Sequence, residues 1–361
     1  MPPLRIDVHG TRTPYHVLIG RGVIADLGAM LHEEGLGKEL LVVSCPPVWR
    51  RHGARLRGVA GRRSPVLIPD GERAKTLQTV SKIYDALIQR RLDRSAALVA
   101  FGGGVVGDVA GFAAATYLRG IRLVQVPTTL LSQVDSAIGG KVGVNVAAGK
   151  NLIGAFHAPA LVVCDPDVLG TLPRREFRAG LYEVVKYGVI ASRSLFDRVS
   201  ANLPAVFRQD AVLLPELIGE CCRIKARVVE LDEREAGPRR ILNFGHTVGH
   251  ALEAVTRYRR FRHGEAIGYG MMAAARISAS RGLLAPEDEA HLKDVIGRMG
   301  PLPPVTDLSV RDALEAITHD KKVTHGQLHF VLARGLGDAA IVADVASKDL
   351  AAAMRSLGMR S

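Results

Sequence analysis

The sequence has 361 residues, of which 47% are hydrophobic, so the chain is long enough for two domains that each bury a core. The formal net charge of +12 comes from short basic clusters without a recognisable nucleic-acid-binding module, which argues against a nucleic acid as the main partner. The N-terminus lacks the apolar segment of a signal peptide, no apolar run is long enough to cross a membrane, and the four cysteines form neither a disulfide framework nor a zinc pattern. We therefore expect a cytoplasmic protein with reduced thiols and no membrane partner.

The first part of the chain alternates short β-branched runs with amphipathic segments. A helix is predicted over residues 75–90, and strands are predicted over residues 15–20, 39–44, 64–69, 96–101, 121–127 and 160–165. Strands that alternate with helices predict a mostly parallel sheet with helices on both faces. The strands lack strict polar alternation, which agrees with burial on both sides.

The pattern changes after the segment "LGTLPRREF". Residues 178–300 show helical periodicity almost throughout, one extended piece is predicted at 328–333, and the C-terminal tail returns to a helical pattern. We therefore predict an α/β N-terminal domain, residues 1–172, followed by an all-α C-terminal domain, residues 173–361.

A glycine-rich turn follows the predicted strand at 96–101 and opens a predicted helix. In "FGGGVVGDVAGF", Gly102, Gly104 and Gly107 fit the pattern G-x-G-x-x-G. Glycines at these positions allow a tight turn and let the backbone approach a pyrophosphate, whose charge then faces the amides of the helix N-terminus. The pattern indicates a nucleotide site, and the alternative is a crowded turn where a helix packs on a strand.

The acidic residue that usually holds the ribose about 20 residues further on is missing, because that region reads "RLVQVP". The best acidic candidates are Asp70 and Glu72, just after the predicted strand at 64–69. A second glycine-rich segment, "SAIGGKVGVNVAAGKNLIGAF", does not fit a P-loop, because Lys150 is followed by Asn151 and the earlier glycine is absent. Lys141 and Lys150 in this segment predict an anion cradle, although each lysine alone is also typical of plain surface.

Charged and imidazole side chains in the second half fit a metal site. Glu183 and Lys186 lie one turn apart on an otherwise apolar helix, either as a salt bridge or as site chemistry. His246 and His250 are four apart in "LNFGHTVGHALE", so both would lie on one helical face, and His263 begins a further helical stretch. Glu183, His246 and His263 would offer a catalytic zinc two nitrogens and one carboxylate with positions left open. The Glu that follows the first histidine in zincins is missing, and two helix histidines with local hydrogen bonds remain the alternative.

Several motifs resemble, in the same order, those of the 3-dehydroquinate synthase family: "GGGVVGDVAGFAAATYLRG", "VPTTLLSQVDSAIGGKVGVN", "GKNLIGAFHAP", "EVVKYG", "DERE", "LNFGHTVGHALE", "HGEAI" and "DKKV". The resemblance spans about residues 65–340. It implies an NAD-dependent phosphate lyase of the shikimate pathway that also needs zinc or cobalt. Its reaction would convert 3-deoxy-D-arabino-heptulosonate 7-phosphate to 3-dehydroquinate and phosphate. A Rossmann-like N-terminal domain, a helical C-terminal domain and a homodimer are also implied.

The resemblance implies roles for individual residues, carried over motif by motif. The metal ligands would be Glu183, His246 and His263. The catalytic residues, which include the proton-handling positions, would be Glu235, His250 and Lys186. The NAD contacts would be Asp70, Gly71, Glu72, Arg73, Ala74, Lys75, Gly103, Gly104, Val105, Val106, Gly107, Asp108, Thr128, Thr129, Lys141, Lys150, Val168, Leu169, Gly170 and Thr171. The substrate, a small molecule that carries a phosphate and a carboxylate, would contact Arg119, Asp135, Lys141, Asn151, Lys186, Lys225, Arg239, Asn243, His250 and one of Lys321 and Lys322.

The sequence departs from the family pattern at a few positions. Val142 stands where a threonine is commoner, Tyr182 stands where a small residue usually precedes the glutamate, and Arg240 adds a cation beside Arg239. Two other functions remain as alternatives. One is another sugar-phosphate cyclase of the 2-deoxy-scyllo-inosose or valiolone synthase type, which would share the fold, NAD and the metal, and the other is a metal-dependent polyol dehydrogenase of related architecture. The substrates of the first group lack a carboxylate, so the cations at Lys225, Arg239 and Lys321 or Lys322 favour 3-dehydroquinate synthase.

Overall fold

The structure is a computed structural model of the chain and describes residues 2–9, 13–36, 39–60, 64–147, 149–318, 323–324 and 327–361. The chain forms two compact units. The first contains Met1–Phe177 and Ala211–Arg234, and the second contains Arg178–Asp210 and Glu235–Ser361. Among the described residues, no helix combines the length and the apolar character needed to cross a bilayer.

The elements of the N-terminal half all lie in the first unit. Its strands are β1 (Leu4–Val8), β2 (Tyr15–Ile19), β3 (Leu40–Ser44), β4 (Val66–Leu67), β5 (Ala97–Gly102), β6 (Arg122–Pro127), β7 (Lys141–Val146), β8 (Gly149–Phe156) and β9 (Leu161–Cys164). The helices here are α1 (Leu27–Glu33), α2 (Pro46–His52), α3 (Arg57–Ala60), α4 (Leu77–Gln89) and α5 (Gly104–Thr116).

Strands β1–β6 and β9 form one sheet in the order β1-β2-β9-β6-β5-β3-β4. Its neighbouring strands are parallel except for β1 and β2. Leu41 and Val43 of β3 share an apolar cluster with residues of α4 and α5, whereas Val42 shares a different cluster with Leu27 and Leu31 of α1. Successive residues of a strand face opposite sides, so the central strands are buried on both faces. The predicted parallel sheet with helices on both faces is confirmed.

The sequence did not predict β1 or the antiparallel hairpin of β7 and β8. Strand β1 lies at the edge of the sheet and buries only Ile6 and Val8, so its apolar signal is weak. The hairpin is rich in glycine and lysine, a composition that is typical of a loop. The six predicted strands correspond to β2–β6 and β9, and the predicted helix corresponds to α4.

The C-terminal half is mainly helical, as expected. Its helices are α6 (Arg174–Ala191), α7 (Arg193–Phe207), α8 (Leu213–Leu231), α9 (His246–Val255), α10 (His263–Ser280), α11 (Pro286–Arg298), α12 (Val310–Thr318) and α13 (Ser347–Ser356). Two short antiparallel hairpins add to them: β10 (Val323–Thr324) with β11 (Gln327–Leu328), and β12 (Phe330–Gly335) with β13 (Asp338–Val342). The extended piece predicted at 328–333 overlaps β11 and β12.

Helix α8 belongs to the first compact unit although its sequence lies within the range predicted for the helical domain. It packs on β1, where a Cβ added at Gly219 would lie 2.5 Å from Leu4 Cδ2. The division of the chain at residues 172 and 173 stays a prediction, and the compact units differ from it by this helix and by the first turn of α6.

Candidate active site

In the first unit, the segments predicted to bind NAD follow the carboxyl ends of neighbouring parallel strands. Gly102 ends β5, and its carbonyl accepts a hydrogen bond from the N–H of Thr128, just after β6 (2.9 Å). Val168–Thr171 lies in a 3-10 helix after β9, and His52 Nε2 lies 2.7 Å from Thr171 Oγ1. Ligands of open parallel sheets collect at this edge, so the placement agrees with the predicted nucleotide site.

The glycine turn combines a helix start that can face an anion with close packing against the sheet. Helix α5 begins at Gly104, and its first amides have no partner within the helix. A Cβ added at Gly107 would lie 2.8 Å from Gln125 Oε1, and one at Gly103 would lie 3.1 Å from Thr129 Cγ2. The turn is therefore crowded on the side of the sheet, as in the alternative interpretation, while the start of the helix can still face an anion.

The loop at residues 70–75 lies against the first turn of α5. Lys75 is buried and its Nζ forms an ion pair with Asp108 Oδ2. Burial raises the pKa of Asp108, and the charge of Lys75 opposes this shift only in part. The structure thus brings together two residues predicted to contact NAD that are far apart in sequence.

Two residues predicted to contact substrate also meet in the first unit. Lys225 of α8 is buried, and its Nζ donates to both the carbonyl and Oδ1 of Asp135 at 2.6 Å. Asp135 lies in a single π-helical turn, Ser132–Ser136. Lys141, Lys150 and Asn151 lie on the hairpin of β7 and β8.

In the second unit, the three predicted metal ligands come from three helices and meet. Glu183 lies on α6, His246 begins α9, and His263 begins α10. Glu183 Oε1 lies 3.8 Å from Nε2 of His246 and 3.8 Å from Nε2 of His263. His250 lies beside them, since the candidate ligand nitrogens of the three histidines are all within 4.8 Å of one another.

The contacts of the two predicted ligand histidines orient their rings. Nδ1 of His246 lies 3.1 Å from the carbonyl oxygen of Phe244, which can only accept, so Nδ1 carries the proton and Nε2 is left for a metal. Nδ1 of His263 lies 3.3 Å from Oε2 of Glu253, a buried carboxylate that orients this ring in the same way. The sequence analysis did not single out Glu253. Its spacing of seven from His246 in "HTVGHALE" could have revealed it, because residues seven apart share a helical face.

Glu183 has the properties of a metal ligand. It is fully buried, and neither carboxylate oxygen accepts a hydrogen bond from a described residue, although Oε2 forms an ion pair with Lys186 Nζ. A buried carboxylate without hydrogen bonds is unfavourable, and a cation beside Oε1 would stabilise it. Ligands around a tetrahedral zinc lie about 3.4 Å apart, so the observed 3.8 Å separations need a contraction of only about 0.4 Å. The donor set fits a divalent metal.

Two further predicted residues of the second unit are hydrogen bonded to each other. Asn243 Nδ2 donates to Glu235 Oε1 at 2.8 Å, which holds the carboxylate of Glu235 in one orientation. Arg239 lies in the same 3-10 segment as Asn243 and is almost completely buried, with 1% of its surface exposed.

Not every predicted residue joins these groups. Arg119 is exposed in the turn after α5, where Leu118 and Arg119 both have positive φ, and its side chain contacts no other predicted site residue among the described residues by hydrogen bond or ion pair. Lys321 and Lys322 lie outside the described residues, so the choice between them stays open.

The two departures at buried positions are matched by glycines on neighbouring helices. A Cβ added at Gly111 of α5 would lie 2.3 Å from Val142 Cγ1, and one at Gly268 of α10 would lie 2.9 Å from Tyr182 Cε1. The larger side chains at Val142 and Tyr182 therefore occupy space that a glycine leaves free.

Comparisons with known proteins show the family of this chain. The family profile of the 3-dehydroquinate synthase N-terminal domain matches residues 65–179, and that of the C-terminal domain matches residues 180–323. The 3-dehydroquinate synthase of Gloeobacter violaceus is 49% identical over 92% of this chain and 94% of its own length.

Two solved structures of sugar-phosphate cyclases have similar folds. A 2-epi-5-epi-valiolone synthase from Streptomyces hygroscopicus, with NAD+ and Zn2+ bound, superposes with a TM-score of 0.87 at 28% identity and covers 96% of this chain and 97% of its own. A 2-deoxy-scyllo-inosose synthase complexed with carbaglucose-6-phosphate, NAD+ and Co2+ has the same TM-score of 0.87 at 27% identity and covers 98% of this chain and 100% of its own. Since both family profiles match and a curated relative is nearly half identical over most of the chain, the chain belongs to the 3-dehydroquinate synthase family.

Proposed function

We propose that the protein converts 3-deoxy-D-arabino-heptulosonate 7-phosphate to 3-dehydroquinate and inorganic phosphate. The observation that carries this proposal is the buried Glu183 carboxylate beside His246, His263 and Lys186 in a member of this family. A site with one carboxylate and two imidazoles leaves positions on a metal open for oxygen atoms of a substrate.

We propose that the protein uses NAD and a divalent metal, zinc or cobalt. Glu183, His246 and His263 would hold the metal, and the segments at the carboxyl edge of the sheet would hold NAD. When bound, NAD would supply a hydride acceptor and donor, and the metal would supply Lewis-acid chemistry at a substrate oxygen. The NAD+, Zn2+ and Co2+ in the two similar cyclase structures support this proposal.

The remaining chemistry falls on side chains of this chain. Lys225, fixed by Asp135, and the buried guanidinium of Arg239 suit a substrate that carries a phosphate and a carboxylate. Glu235, oriented by Asn243, and His250 would hold and move protons, and an imidazole can do so near neutral pH.

The sequence relationship favours this substrate over those of the related cyclases. The two similar structures are 27% and 28% identical, whereas the Gloeobacter relative is 49% identical. For the polyol dehydrogenase alternative, the structure of a probable glycerol dehydrogenase from Sinorhizobium meliloti, at 17% identity, supports a common fold alone.

We also propose that the protein is a cytoplasmic homodimer. All four cysteines are buried and none of them forms a disulfide, which suits a reducing compartment. The dimer rests on the family resemblance, and sedimentation of the purified protein would measure it.

Phosphate release and NADH absorbance, followed together on the heptulosonate phosphate, test the proposed reaction. We expect phosphate release that needs NAD and stops with a chelator, without accumulation of NADH, because the hydride returns to the substrate. NADH that accumulates one-for-one with turnover would favour a dehydrogenase. Absence of phosphate release from this substrate, with release from a sugar phosphate that lacks a carboxylate, would favour a related cyclase.

A further inference from the structure

Asn145 of β7 is hydrogen bonded to two segments that are proposed to bind different ligands. Its backbone N–H donates to the carbonyl of Lys75 (2.8 Å), and its side-chain Nδ2 donates to Glu72 Oε1 (2.8 Å). Its Oδ1 accepts a hydrogen bond from the N–H of Asn151 (2.9 Å). One residue therefore joins the proposed NAD loop to a residue proposed to contact substrate.

An irregularity in the β7–β8 hairpin makes this arrangement possible. Val144 pairs with Ile153 and Val146 pairs with Gly149, so Asn145 alone faces residues 150–152 of the other strand. Asn151 adopts a left-handed conformation with φ of 54° in this bulge, and its N–H bonds to the Asn145 side chain. Bulges beside active sites commonly redirect a side chain in this way.

The orientation of the Asn145 amide is fixed by its partners. The carboxylate of Glu72 can only accept, so the nitrogen of the amide must face it, and the N–H of Asn151 can only donate, so the oxygen must face that group. A rotation of the amide by half a turn would oppose acceptor to acceptor and donor to donor. Asn145 thus transmits the position of the loop to Asn151 through two directional bonds.

Two ion pairs also hold the loop. The ion pair between Lys75 and Asp108 attaches the loop to the first turn of α5, and Lys150 Nζ lies 3.8 Å from Glu72 Oε1. A ligand that orders this loop would therefore also order the bulge through Asn145.

We propose that Asn145 is a positioning residue that holds the NAD loop and Asn151 in one arrangement, so that NAD binding prepares the contact of Asn151 with substrate. This inference rests on the proposed function. Asn145 itself is not among the residues that the family resemblance implies as contacts of either ligand. By linkage, a change at Asn145 affects the affinity for NAD and the affinity for substrate together.

A pair of substitutions at the Asn145–Glu72 contact tests the inference. Asn145→Asp keeps an acceptor for Asn151 but turns a carboxylate oxygen toward Glu72. Glu72→Gln alone keeps an acceptor for Asn145 and controls for the lost charge. In the double variant Asn145→Asp with Glu72→Gln, the glutamine can donate to the aspartate, so the hydrogen bond is restored with donor and acceptor exchanged. Calorimetry gives the Kd for NAD, kinetics at saturating NAD give KM and kcat, and thermal unfolding reports folding.

We expect Asn145→Asp to weaken NAD binding about ten-fold. We expect it to raise the KM for the heptulosonate phosphate by a similar factor, with a smaller change in kcat. We expect the double variant to recover most of the loss relative to Glu72→Gln alone, as a double-mutant cycle requires for a direct contact. Unchanged NAD affinity and KM in Asn145→Asp would overturn the inference, and so would a loss that the double variant does not recover. Failure of the proposed function can be distinguished from failure of this inference. If the proposed function is wrong, the wild-type protein releases no phosphate, and the NAD affinities of the variants still decide the role of Asn145.

Discussion

The two compact units assemble their predicted site residues in different ways. In the first unit, the glycine turn and the segment at Thr128 and Thr129 directly follow strands β5 and β6, whose ladder pairs Gly102 with Pro127. Backbone hydrogen bonds of the sheet therefore fix where each segment begins. In the second unit, Glu183, His246 and His263 come from three helices, and their separations depend on how closely the helices approach. A local motif can define the first kind of site, whereas the second kind depends on packing between distant parts of the chain.

Glycines allow the close approach of these helices. A Cβ added at Gly270 of α10 would lie 1.7 Å from the carbonyl oxygen of Gly245, the residue before His246. One added at Gly264, the residue after His263, would lie 1.9 Å from the carbonyl oxygen of Ala179 on α6. Because these obstacles are backbone atoms, a side chain at either position would push the ligand-bearing helices apart.

The largest effect is expected from Gly270→Ala. Its methyl group would collide with the backbone at Gly245, and we expect a loss of about 3 kcal/mol or more in the free energy of unfolding, together with loss of bound metal. Gly297→Ala on α11 is the matched control, because a Cβ there meets no atom of a described residue within 4 Å and should stabilise the helix by about 0.5 kcal/mol. Chemical denaturation and metal analysis measure both. Equal stability of the two variants would show that close helix contact does not hold this site together.

The next prediction concerns the different roles proposed for His246 and His250 of α9. We expect His246→Ala to purify with little metal, because Nε2 of His246 faces Glu183, the proposed ligand. His250→Ala should keep near-stoichiometric metal, because a fourth protein ligand would reduce the access of substrate to the metal. It should also keep NAD but turn over far more slowly, because His250 is proposed to move protons in the reaction. Metal analysis of the two purified variants decides this division, which fails if His250→Ala loses metal as completely as His246→Ala.

A smaller effect is expected from Glu253→Gln. This variant tests whether a carboxylate outside the proposed ligand set strengthens metal binding by His263. The Glu253 carboxylate lies 3.3 Å from His263 Nδ1 and makes this ring more basic. Its replacement by a neutral amide should weaken metal binding about 10- to 100-fold. Glu289→Gln removes a carboxylate of the same unit that pairs with Arg276, and it should leave metal affinity unchanged. Competition with a chromogenic chelator measures the affinities, and equal values for the two variants would remove Glu253 from the support of His263.

The sequence predicted the features that depend on local pattern. Apolar runs predicted the central strands, and the glycine spacing predicted the turn at the start of α5, because both signals lie within one segment of chain. Residue type alone made Glu183, His246 and His263 candidates for a metal site, and the family resemblance implied the ligand role, since spacing could not show that Glu183 meets residues more than 60 positions away.

Other parts of the site depend on contacts that no local pattern contains. Asn145 contacts Glu72 only because the hairpin bulges, and Glu253 reaches His263 only because the chain turns back between α9 and α10. The space for Tyr182 is likewise provided by Gly268, a residue of another helix. These contacts are set by tertiary packing, so the sequence does not show which residues meet, although the seven-residue spacing places Glu253 on the helical face of His246.

The smallest effect concerns Tyr182, which precedes the proposed ligand Glu183 in the sequence. Its hydroxyl is buried without a hydrogen-bond partner among the described residues. Burial raises its pKa to about 12. Tyr182→Phe removes an unsatisfied polar atom, so we expect the variant to be more stable by up to about 1 kcal/mol with unchanged metal content. Tyr269→Phe is the matched control, because its hydroxyl donates to the carbonyl of Pro303 at 2.9 Å and its loss should destabilise by about 1 kcal/mol.

The pH dependence of Tyr182→Phe gives an independent check. A tyrosine whose pKa rises on folding contributes stability below its ordinary pKa, near 10, and loses it as the pH rises toward the folded value of about 12. The advantage of Tyr182→Phe over wild type should therefore grow above pH 10, where unfolded wild type gains an ionised phenol that the variant lacks. Denaturation of both proteins across that range measures it. A variant that is less stable than wild type at neutral pH, as Tyr269→Phe should be, would mean that the Tyr182 hydroxyl has a hydrogen-bond partner in solution, and a difference that stays constant above pH 10 would mean that its pKa is not raised.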